Sequence, residues 1–436
     1  MRSVRYAPLL SLAAICMAEA PSARAFELYK DGETYLNADL VAGYGLFGAQ
    51  RNYVGRAGVF RWQEGFAKYG VSGATDRTGA GSLYGSFKLL SSASWGDGDP
   101  GGFTTGRERR TAVEEAYLGW KSGDLFPRLG MDGIEFSAGR QVVKMGSGFL
   151  ITDDGVNPGR GLDNGRYDRG GAYYLGRRLS FARTAVLRLG GSEGLHGSAA
   201  WLKSDTRLQA NTEVAAGTID YTGAAGTVGL TYVHGLDVDQ RYAIVPSRLE
   251  RKGMKIYSLR AEGNAGVKDA DFAIEYAHQK KHSRTDSAWY AEASYTFSAV
   301  PWQPSLSFRH TRYSKEFDSL FQGGFRYRYQ GEVASNYAFS YNFNMRINDV
   351  ALSVRPGETL TATLMFFDYR TLADRNVLNV DARELALYVD WAVTDHWTLS
   401  PIIGVYKPRR YDGNGGNQSG SASANPYVKL MLMATF

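Results

Sequence analysis

The chain has 436 residues and a formal net charge of +6, a positive balance too mild to indicate a nucleic-acid-binding protein. It contains 52 glycines and 28 tyrosines but only 12 prolines, which favours many strands with aromatic anchors over a helical bundle. Beyond residue 25, no segment approaches the roughly 18 consecutive apolar residues that a membrane-spanning helix needs, so the sequence excludes a helical membrane protein.

The first 25 residues have the layout of a secretory signal peptide. Arg2 and Arg5 form a basic head, residues 7–17 are apolar, and Ala23-Arg24-Ala25 has the small-x-small pattern of a cleavage site after Ala25. A short helix of a soluble domain is the alternative, but the composition changes at the same point. The single cysteine, Cys16, lies in this segment, so the exported chain would have no thiol for disulfides, catalysis or metal binding.

Apolar and polar residues alternate in several segments of the remaining chain, over about ten residues, the length that a tilted strand needs to cross a bilayer. Residues 36–44 place leucine, alanine and tyrosine on one face and Asn37 and Asp39 on the other. Residues 385–393 alternate in the same way, with Tyr388 and Asp390 on the polar face. One face suits lipid and the other suits water, so the sequence predicts an all-β protein, a transmembrane antiparallel barrel.

The connectors between the predicted strands are of two lengths, as in outer-membrane barrels, where periplasmic turns are short and extracellular loops are long. We predict about 18 strands, with about 16 as the alternative. The short connectors are 130–133, 190–194, 264–269, 301–304, 356–357 and 394–396, and the long ones are 97–110, 146–170, 235–252, 314–343, 371–381 and 409–425. The strand centres are predicted near residues 41, 64, 87, 116, 138, 180, 199, 217, 230, 258, 275, 293, 308, 350, 364, 388, 403 and 431.

The final ten residues form an alternating strand that ends in Phe436, resembling the terminal strand by which the barrel assembly machinery recognises its clients. Pairing this strand with the first one would remove an exposed edge. A soluble two-sheet sandwich is the alternative, although it normally holds fewer strands. Residues 26–436 contain no linker and are predicted to form one domain in the bacterial outer membrane.

Two regions resemble the alginate-export family of outer-membrane barrels. The first is the acidic-aromatic segment 113–120, followed by Ser137-Ala-Gly-Arg-Gln141. The second is Glu316-Phe-Asp-Ser-Leu-Phe321, followed by residues 334–336 and by the strand, turn and strand of residues 346–369. The resemblance implies an eighteen-stranded barrel with a basic lumen, which lets a newly made anionic exopolysaccharide leave the cell, with periplasmic export partners and without a reaction.

The resemblance also carries Arg140 over to the substrate path. Strict alternation opposes this placement, because Arg140 shares parity with the apolar residues Ile134, Phe136 and Ala138. A β-bulge at Gly139 would turn Arg140 into the lumen, and without a bulge Arg140 would lie above the lipid band.

The water-facing parity of each strand predicts a lumen of mixed charge. A ring of basic residues would attract an anionic polymer, whereas a mixed lumen can equally orient a transverse field, and each charge could also be a plain salt bridge between strands. Inward tyrosines could contact sugars, whereas Trp120, Trp289, Trp391 and Trp397 favour the interfacial girdle. The predicted lumen residues are Arg140, Lys88, Lys121, Arg188, Arg260, Arg309, Glu115, Glu292, Asp390, Tyr84, Tyr290, Tyr313 and Tyr388.

The long connector 314–343 is too apolar for a solvated loop, so we expect it to pack on another part of the protein as a plug, gate or lid. Its predicted gating residues include Phe317 and Phe321, and Arg326 and Arg328 could touch an acidic glycan or lipopolysaccharide phosphates. The connector 146–170 carries Asp153, Asp154 and Asp163, but their spacing matches no calcium loop, so no metal or other cofactor is predicted.

The sequence thus predicts passive export of an exopolysaccharide. The alternative is a substrate-selective porin for uptake of small anions or sugars, and a surface adhesin without conductance is a third hypothesis. An enzyme is not predicted, because none of the six histidines lies in a nucleophile-elbow or metalloprotease motif.

Overall fold

The fold is described from a computed structural model, which covers residues 26–56, 58–155, 171–176, 178–243, 246–322, 330–338, 342–373 and 378–436. The predicted signal peptide, residues 1–25, lies outside these ranges, as do Arg326 and Arg328. No helix in the described ranges is long and apolar enough to span a bilayer.

Alternating side chains build the wall, as one strand illustrates. Along residues 270–280, Phe272, Ile274 and Tyr276 are exposed on the outer face, whereas Glu275 and Ala277 are buried on the inner face. The strands are β1 (Phe26–Asp31), β2 (Thr34–Ala49), β3 (Phe60–Ala74), β4 (Ser82–Gly96), β5 (Arg109–Lys121), β6 (Ile134–Gln141), β7 (Phe181–Leu189), β8 (Gly194–Lys203), β9 (Glu213–Gly223), β10 (Gly226–Asp237), β11 (Lys255–Gly263), β12 (Ala270–Lys280), β13 (Thr285–Thr296), β14 (Ser305–Tyr313), β15 (Met345–Val354), β16 (Leu360–Thr371), β17 (Ala382–Ala392), β18 (Trp397–Pro408) and β19 (Asn425–Thr435).

Strands β2 to β19 form a closed antiparallel barrel of 18 strands, which confirms the predicted fold class. Closure is made by β19, which pairs with β2 from Tyr427 opposite Ala49 to Thr435 opposite Val41. The connectors alternate in length, so the end with the long loops faces the exterior. Two short helices, α1 (Pro246–Leu249) and α2 (Glu332–Asn336), lie in such loops, and short 3-10 turns occur at Pro127–Leu129, Arg207–Gln209, Gln240–Tyr242 and Asp412–Asn414.

Strand β1 was not predicted, and it extends the barrel on the periplasmic side rather than adding a wall strand. It pairs with the start of β2, Phe26 opposite Ala38, and the Phe26 ring stacks on that of Phe436 at 5.6 Å. The other predicted strands are present; only the centre near residue 180 falls outside its strand, since β7 starts at Phe181.

Two irregularities in neighbouring strands shape the inner wall. The register between β4 and β5 shifts so that Glu114 is bulged, and both Glu114 and Glu115 turn inward. In β6, Gly139 has a φ of +132°, and the pairing with β7 shifts between Gly139 and Gln141. A β-carbon on Gly139 would lie 2.3 Å from the Ala116 carbonyl oxygen, so glycine is required there.

Gly139→Ala is therefore expected to destabilise the barrel by roughly 1–3 kcal/mol, because the φ value and the contact with the neighbouring backbone both oppose a side chain. The measurement is urea unfolding of the barrel in detergent micelles, followed by heat-modifiable gel mobility. Gly191→Ala is the matched control, since a β-carbon there would meet no atom within 4 Å. Equal unfolding midpoints for the two variants would show that the strained backbone at Gly139 does not limit stability.

Candidate functional site

The described residues of two extracellular connectors lie inside the barrel and pack on each other. The connectors join β6 to β7 (residues 142–180, the first inner loop) and β14 to β15 (residues 314–344, the second inner loop). Ile151 forms a parallel bridge with Phe321, and the Phe321 and Phe181 rings lie 4.9 Å apart. Phe317 and Phe321 are both buried, and a role for this connector as a plug, gate or lid stays a prediction.

Wall glutamates hold the backbones of both inner loops. Glu64 accepts hydrogen bonds from the amides of Tyr174 and Leu175 at 2.8 and 2.7 Å, and Glu114 accepts one from Leu179 at 2.9 Å. Glu384 accepts the first amides of α2, from Glu332 at 3.0 Å and Val333 at 2.8 Å. Buried amides need acceptors, so these carboxylates fix the loops in place.

Two buried ion pairs add to this anchoring of the second inner loop. Arg251 donates to both carboxylate oxygens of Asp318 at 2.7 Å, and their side chains are only 2% and 6% exposed. Lys429 of β19 forms an ion pair with Glu332 at the start of α2 and lies 3.7 Å above the ring of Tyr174. Removing one partner from such a pair would leave a buried charge uncompensated.

Several predicted lumen charges point inward but are covered and paired. Arg309 is fully buried and donates to Glu292 at 2.5 Å, with Asp349 opposite it on β15. Arg260 donates to Asp220 at 2.6 Å. Asp390 accepts a hydrogen bond from Ser400 at 2.6 Å. The parity prediction is therefore correct for these residues, but Arg309 and Arg260 are not open lumen cations.

The partly exposed polar surface of the lumen lies on β2 to β7. Lys68 and Lys88 both contact Glu115, at 3.1 and 3.5 Å, and Lys88 also contacts Asp39 at 3.4 Å. Closer to the periplasm, Glu135 accepts hydrogen bonds from Tyr84 at 2.5 Å and from Arg188 at 2.7 Å, while Lys121 lies 5.3 Å above the Tyr84 ring.

The predicted tyrosines differ in exposure. Tyr84 is partly exposed beside Arg188, whereas Tyr290, Tyr313 and Tyr388 are buried. Phe149 of the first inner loop covers two of them, with ring distances of 5.1 Å to Tyr290 and 6.0 Å to Tyr313. Other side chains therefore cover these three inward tyrosines, and a contact between them and a sugar stays a prediction.

Arg140 lies at the extracellular end of β6. Its β5 partner is Ala116, on the outward parity, whereas Gln141 keeps the inward parity of Ser137 and donates hydrogen bonds to Ser137 and Thr184. The Arg140 guanidinium donates to Asp205 at 2.8 Å, and Asp205 also binds Arg178 of the first inner loop. Arg140 thus takes part in an ion cluster at the loop level.

Sequence reasoning missed Lys68, Glu64, Arg251, Asp318 and Lys429. Lys429 could have been found from the sequence. It lies between Val428 and Leu430, so it points to the face of β19 opposite these apolar residues. Arg251 and Asp318 could not have been found, because each lies in a loop and their meeting depends on how two loops fold inside the barrel. Among the described residues, no cluster of three or more potential metal ligands occurs, and Asp163 lies outside these residues.

Two carboxyl groups in loops have pKa values that are shifted in opposite directions. Burial raises the pKa of Asp318, but the ion pair with Arg251 outweighs burial and leaves the pKa well below its usual value. Its ionised form therefore stabilises the loop above about pH 4, and this stability is lost only as the pH falls through the depressed value. Burial raises the pKa of Asp99 to about 6 despite hydrogen bonds from Thr104, so ionisation of Asp99 opposes folding as the pH rises from about 4 to about 6.

Comparison with protein-family models and with curated proteins finds no match. Among solved structures, a BenF-like porin from Pseudomonas fluorescens Pf-5 aligns with a TM-score of 0.61 at 9% identity, covering 92% of this chain and 98% of the porin. Pseudomonas aeruginosa OccD3 (OpdP) aligns with a TM-score of 0.57 at 12% identity, covering 98% and 96%. Acinetobacter baumannii OccAB2 aligns with a TM-score of 0.57 at 12% identity, covering 92% and 98%.

The chain has the fold of a porin, and its closed barrel of 18 strands with an apolar outer face indicates a protein of the bacterial outer membrane. At 9–12% identity the likeness establishes the fold alone. No family match supports the resemblance to the alginate-export family.

Asp318→Asn is expected to release the second inner loop while leaving the barrel folded. The change leaves the buried Arg251 charge without its carboxylate partner, and breaking such a pair costs roughly 3–5 kcal/mol. Hydrogen exchange of residues 314–322 in the detergent-solubilised barrel should accelerate strongly. Asp237→Asn is the control, because the Asp237–Lys252 pair has side chains 56% and 64% exposed and exposed pairs contribute at most about 1 kcal/mol. If both variants exchange at the wild-type rate, the buried pair does not anchor the loop.

Proposed function

We propose that the protein is a substrate-selective porin through which small hydrophilic solutes enter the periplasm by diffusion. The observation that carries the proposal is the packing of two anchored loops inside the barrel. The described residues of these loops pack on inner-wall residues of β13, β14, β17 and β19 and on the extracellular part of β3 and β5. In these places Glu64, Arg309, Glu384 and Lys429 are at most 1% exposed. The partly exposed polar surface on β2 to β7 remains as the route for solutes.

This arrangement favours a small solute over a polymer. A polysaccharide chain that crosses the barrel fills the path along its whole length at once, and this path must be wide everywhere. A small solute can pass through a narrower path. Opening a wider path would require the inner loops to leave the buried carboxylates of Glu64, Glu114 and Glu384, and each released amide would lose a charged acceptor. Export of an exopolysaccharide therefore has weaker support than uptake.

The partly exposed side chains suggest the class of solute. Four cations face three carboxylates on this surface, so a small anion would find a modest excess of positive charge. The rings of Tyr84 and Tyr117 lie 6.2 Å apart beside them and offer apolar faces to a sugar. The seven charged residues are Lys68, Lys88, Lys121, Arg188, Asp39, Glu115 and Glu135.

Size selectivity tests the proposal directly. Liposomes that contain the purified barrel should swell in small sugars and small organic acids, but not in oligosaccharides of increasing length, and planar bilayers should show a single-channel conductance. Equal permeation of short and long oligosaccharides would favour polymer export, and the absence of conductance would favour an adhesin or scaffold.

Ion selectivity tests the role of the polar surface. The variant Lys68→Gln with Arg188→Gln removes the cations that are 30% and 45% exposed, while Glu115 keeps Lys88 and Glu135 keeps Tyr84 as partners. We expect the anion-to-cation permeability ratio, measured from reversal potentials in a salt gradient, to fall about two- to fivefold.

Lys30→Gln is the control for this measurement, because Lys30 is 61% exposed on β1, outside the lumen. The control should keep the wild-type ratio. If the double variant also keeps it, ions do not pass along the polar surface of β2 to β7. Arg309→Ala is a poor probe of selectivity, since it would leave Glu292 and Asp349 unbalanced in a buried site.

A further inference from the structure

The outer face of the barrel carries a row of directly opposed arginines. Arg312 of β14 lies opposite Arg346 of β15, and Arg346 lies opposite Arg370 of β16. Neighbouring strands are about 4.8 Å apart, so the row spans roughly 10 Å. Like charges that face each other directly across strands destabilise a sheet, so this arrangement calls for a compensating anion.

The row faces outward, toward the membrane side of the wall. Arg312 has the same parity as Phe308, Arg346 the same as Val350, and Arg370 the same as Phe366. These three apolar side chains are 48%, 40% and 41% exposed on the outer surface. Along its strand, each arginine lies four residues closer to the long loops than the apolar residue with which it is compared. This is about 13 Å at about 3.3 Å per residue.

A second row of polar residues completes a basic patch just below the first. Asp368 lies opposite Arg383, and Arg383 lies opposite Lys407. The acidic groups at the patch already have partners. Asp368 forms ion pairs with Arg370 at 2.8 Å and with Arg383 at 3.3 Å, and Asp381 forms one with Arg370 at 3.9 Å. The basic patch consists of Arg312, Arg346, Arg370, Arg383 and Lys407.

The two arginines at the β14 end of the patch are available to a ligand. Arg312 and Arg346 are exposed, and no acidic residue in the described part of the chain forms an ion pair with either. Trp289 lies opposite Arg312 on the same outer face, and its ring is 4.8 Å from that of His310. A tryptophan at this height is typical of the boundary between hydrocarbon and headgroups.

We propose that the basic patch binds the phosphate groups of one lipopolysaccharide molecule in the outer leaflet, with its acyl chains against the apolar band below. Guanidinium groups bind phosphate oxygens through paired hydrogen bonds, and adjacent arginines match the charge of a diphosphorylated headgroup. This lipid contact lies on the outer face of strands whose inner face holds the second inner loop, so it is independent of the route for solutes.

The test compares the wild-type barrel with Arg312→Gln/Arg346→Gln, both purified in detergent and freed of lipid. Both changes are on exposed side chains, and gel heat-modifiability checks that the variant folds. Titration with lipopolysaccharide, followed by native mass spectrometry, should show about tenfold weaker binding for the variant. Wild-type binding should persist with a chelator present, because the arginines contact phosphate without a bridging divalent cation.

Arg61→Gln is the matched control, since Arg61 is an exposed outward arginine on β3 that lies opposite Gly48. It should bind as the wild type does. Dephosphorylated lipid should bind the wild type as weakly as intact lipid binds the double variant, and inorganic phosphate alone should not compete at millimolar concentration.

Equal binding by wild type and double variant would overturn the proposal. So would loss of a dimer or trimer in the variant with lipid binding unchanged, since the patch would then be a subunit interface. Conductance of the double variant in bilayers free of lipopolysaccharide should equal that of the wild type, so failure of this proposal is distinguishable from failure of the porin proposal.

Discussion

The structure depends on the requirement that every backbone amide and carbonyl within the hydrocarbon region has a protein partner, because lipid offers none. The pairing of β19 with β2 meets this requirement by removing both edges of the sheet. Closure also fixes the direction of each side chain, since successive residues of a strand point to opposite faces. The apolar residues of β12 then face lipid and Glu275 faces the interior. The two faces of the wall must therefore meet opposite demands.

Inside the barrel, the demand is to satisfy polar groups that closure removes from water. The wall carboxylates do this by accepting hydrogen bonds from the backbones of the two inner loops, as Glu384 does for the amides of α2. The loops in turn bury Phe149 and Phe321 among inward residues of the wall. A charge that faces the interior can thus serve the fold rather than transport, which is why the lumen charges divide into buried anchors and partly exposed groups. The porin proposal rests on the second set.

The sequence predicted the barrel, its strand number and the side to which most strand residues point, because these properties follow from a local period of two residues. It did not predict β1, which pairs with the start of β2 and stacks Phe26 on Phe436, a residue at the far end of the chain. Parity placed Arg309 and Tyr313 correctly on the inner face, yet it could not show that distant loops cover them. The pair Arg251–Asp318 joins residues from two loops and leaves no periodic trace. The short resemblances to the alginate-export family implied an eighteen-stranded barrel, which is present, but the comparison with protein-family models gives no support for the family itself.

The distribution of balanced and unbalanced charge separates the two proposed sites. Within the barrel wall, cations such as Arg309 and Lys429 have carboxylates within ion-pair distance, as low-dielectric surroundings demand. On the outer face of the same strands, Arg312 and Arg346 face each other without an acidic partner in the described chain. The cations inside the barrel are paired with carboxylates of the protein. An anion that comes from the membrane could take the place of such a carboxylate on the outer face. In the proposal made above, headgroup phosphates of the outer leaflet provide this anion, at the level that Trp289 marks on the same face.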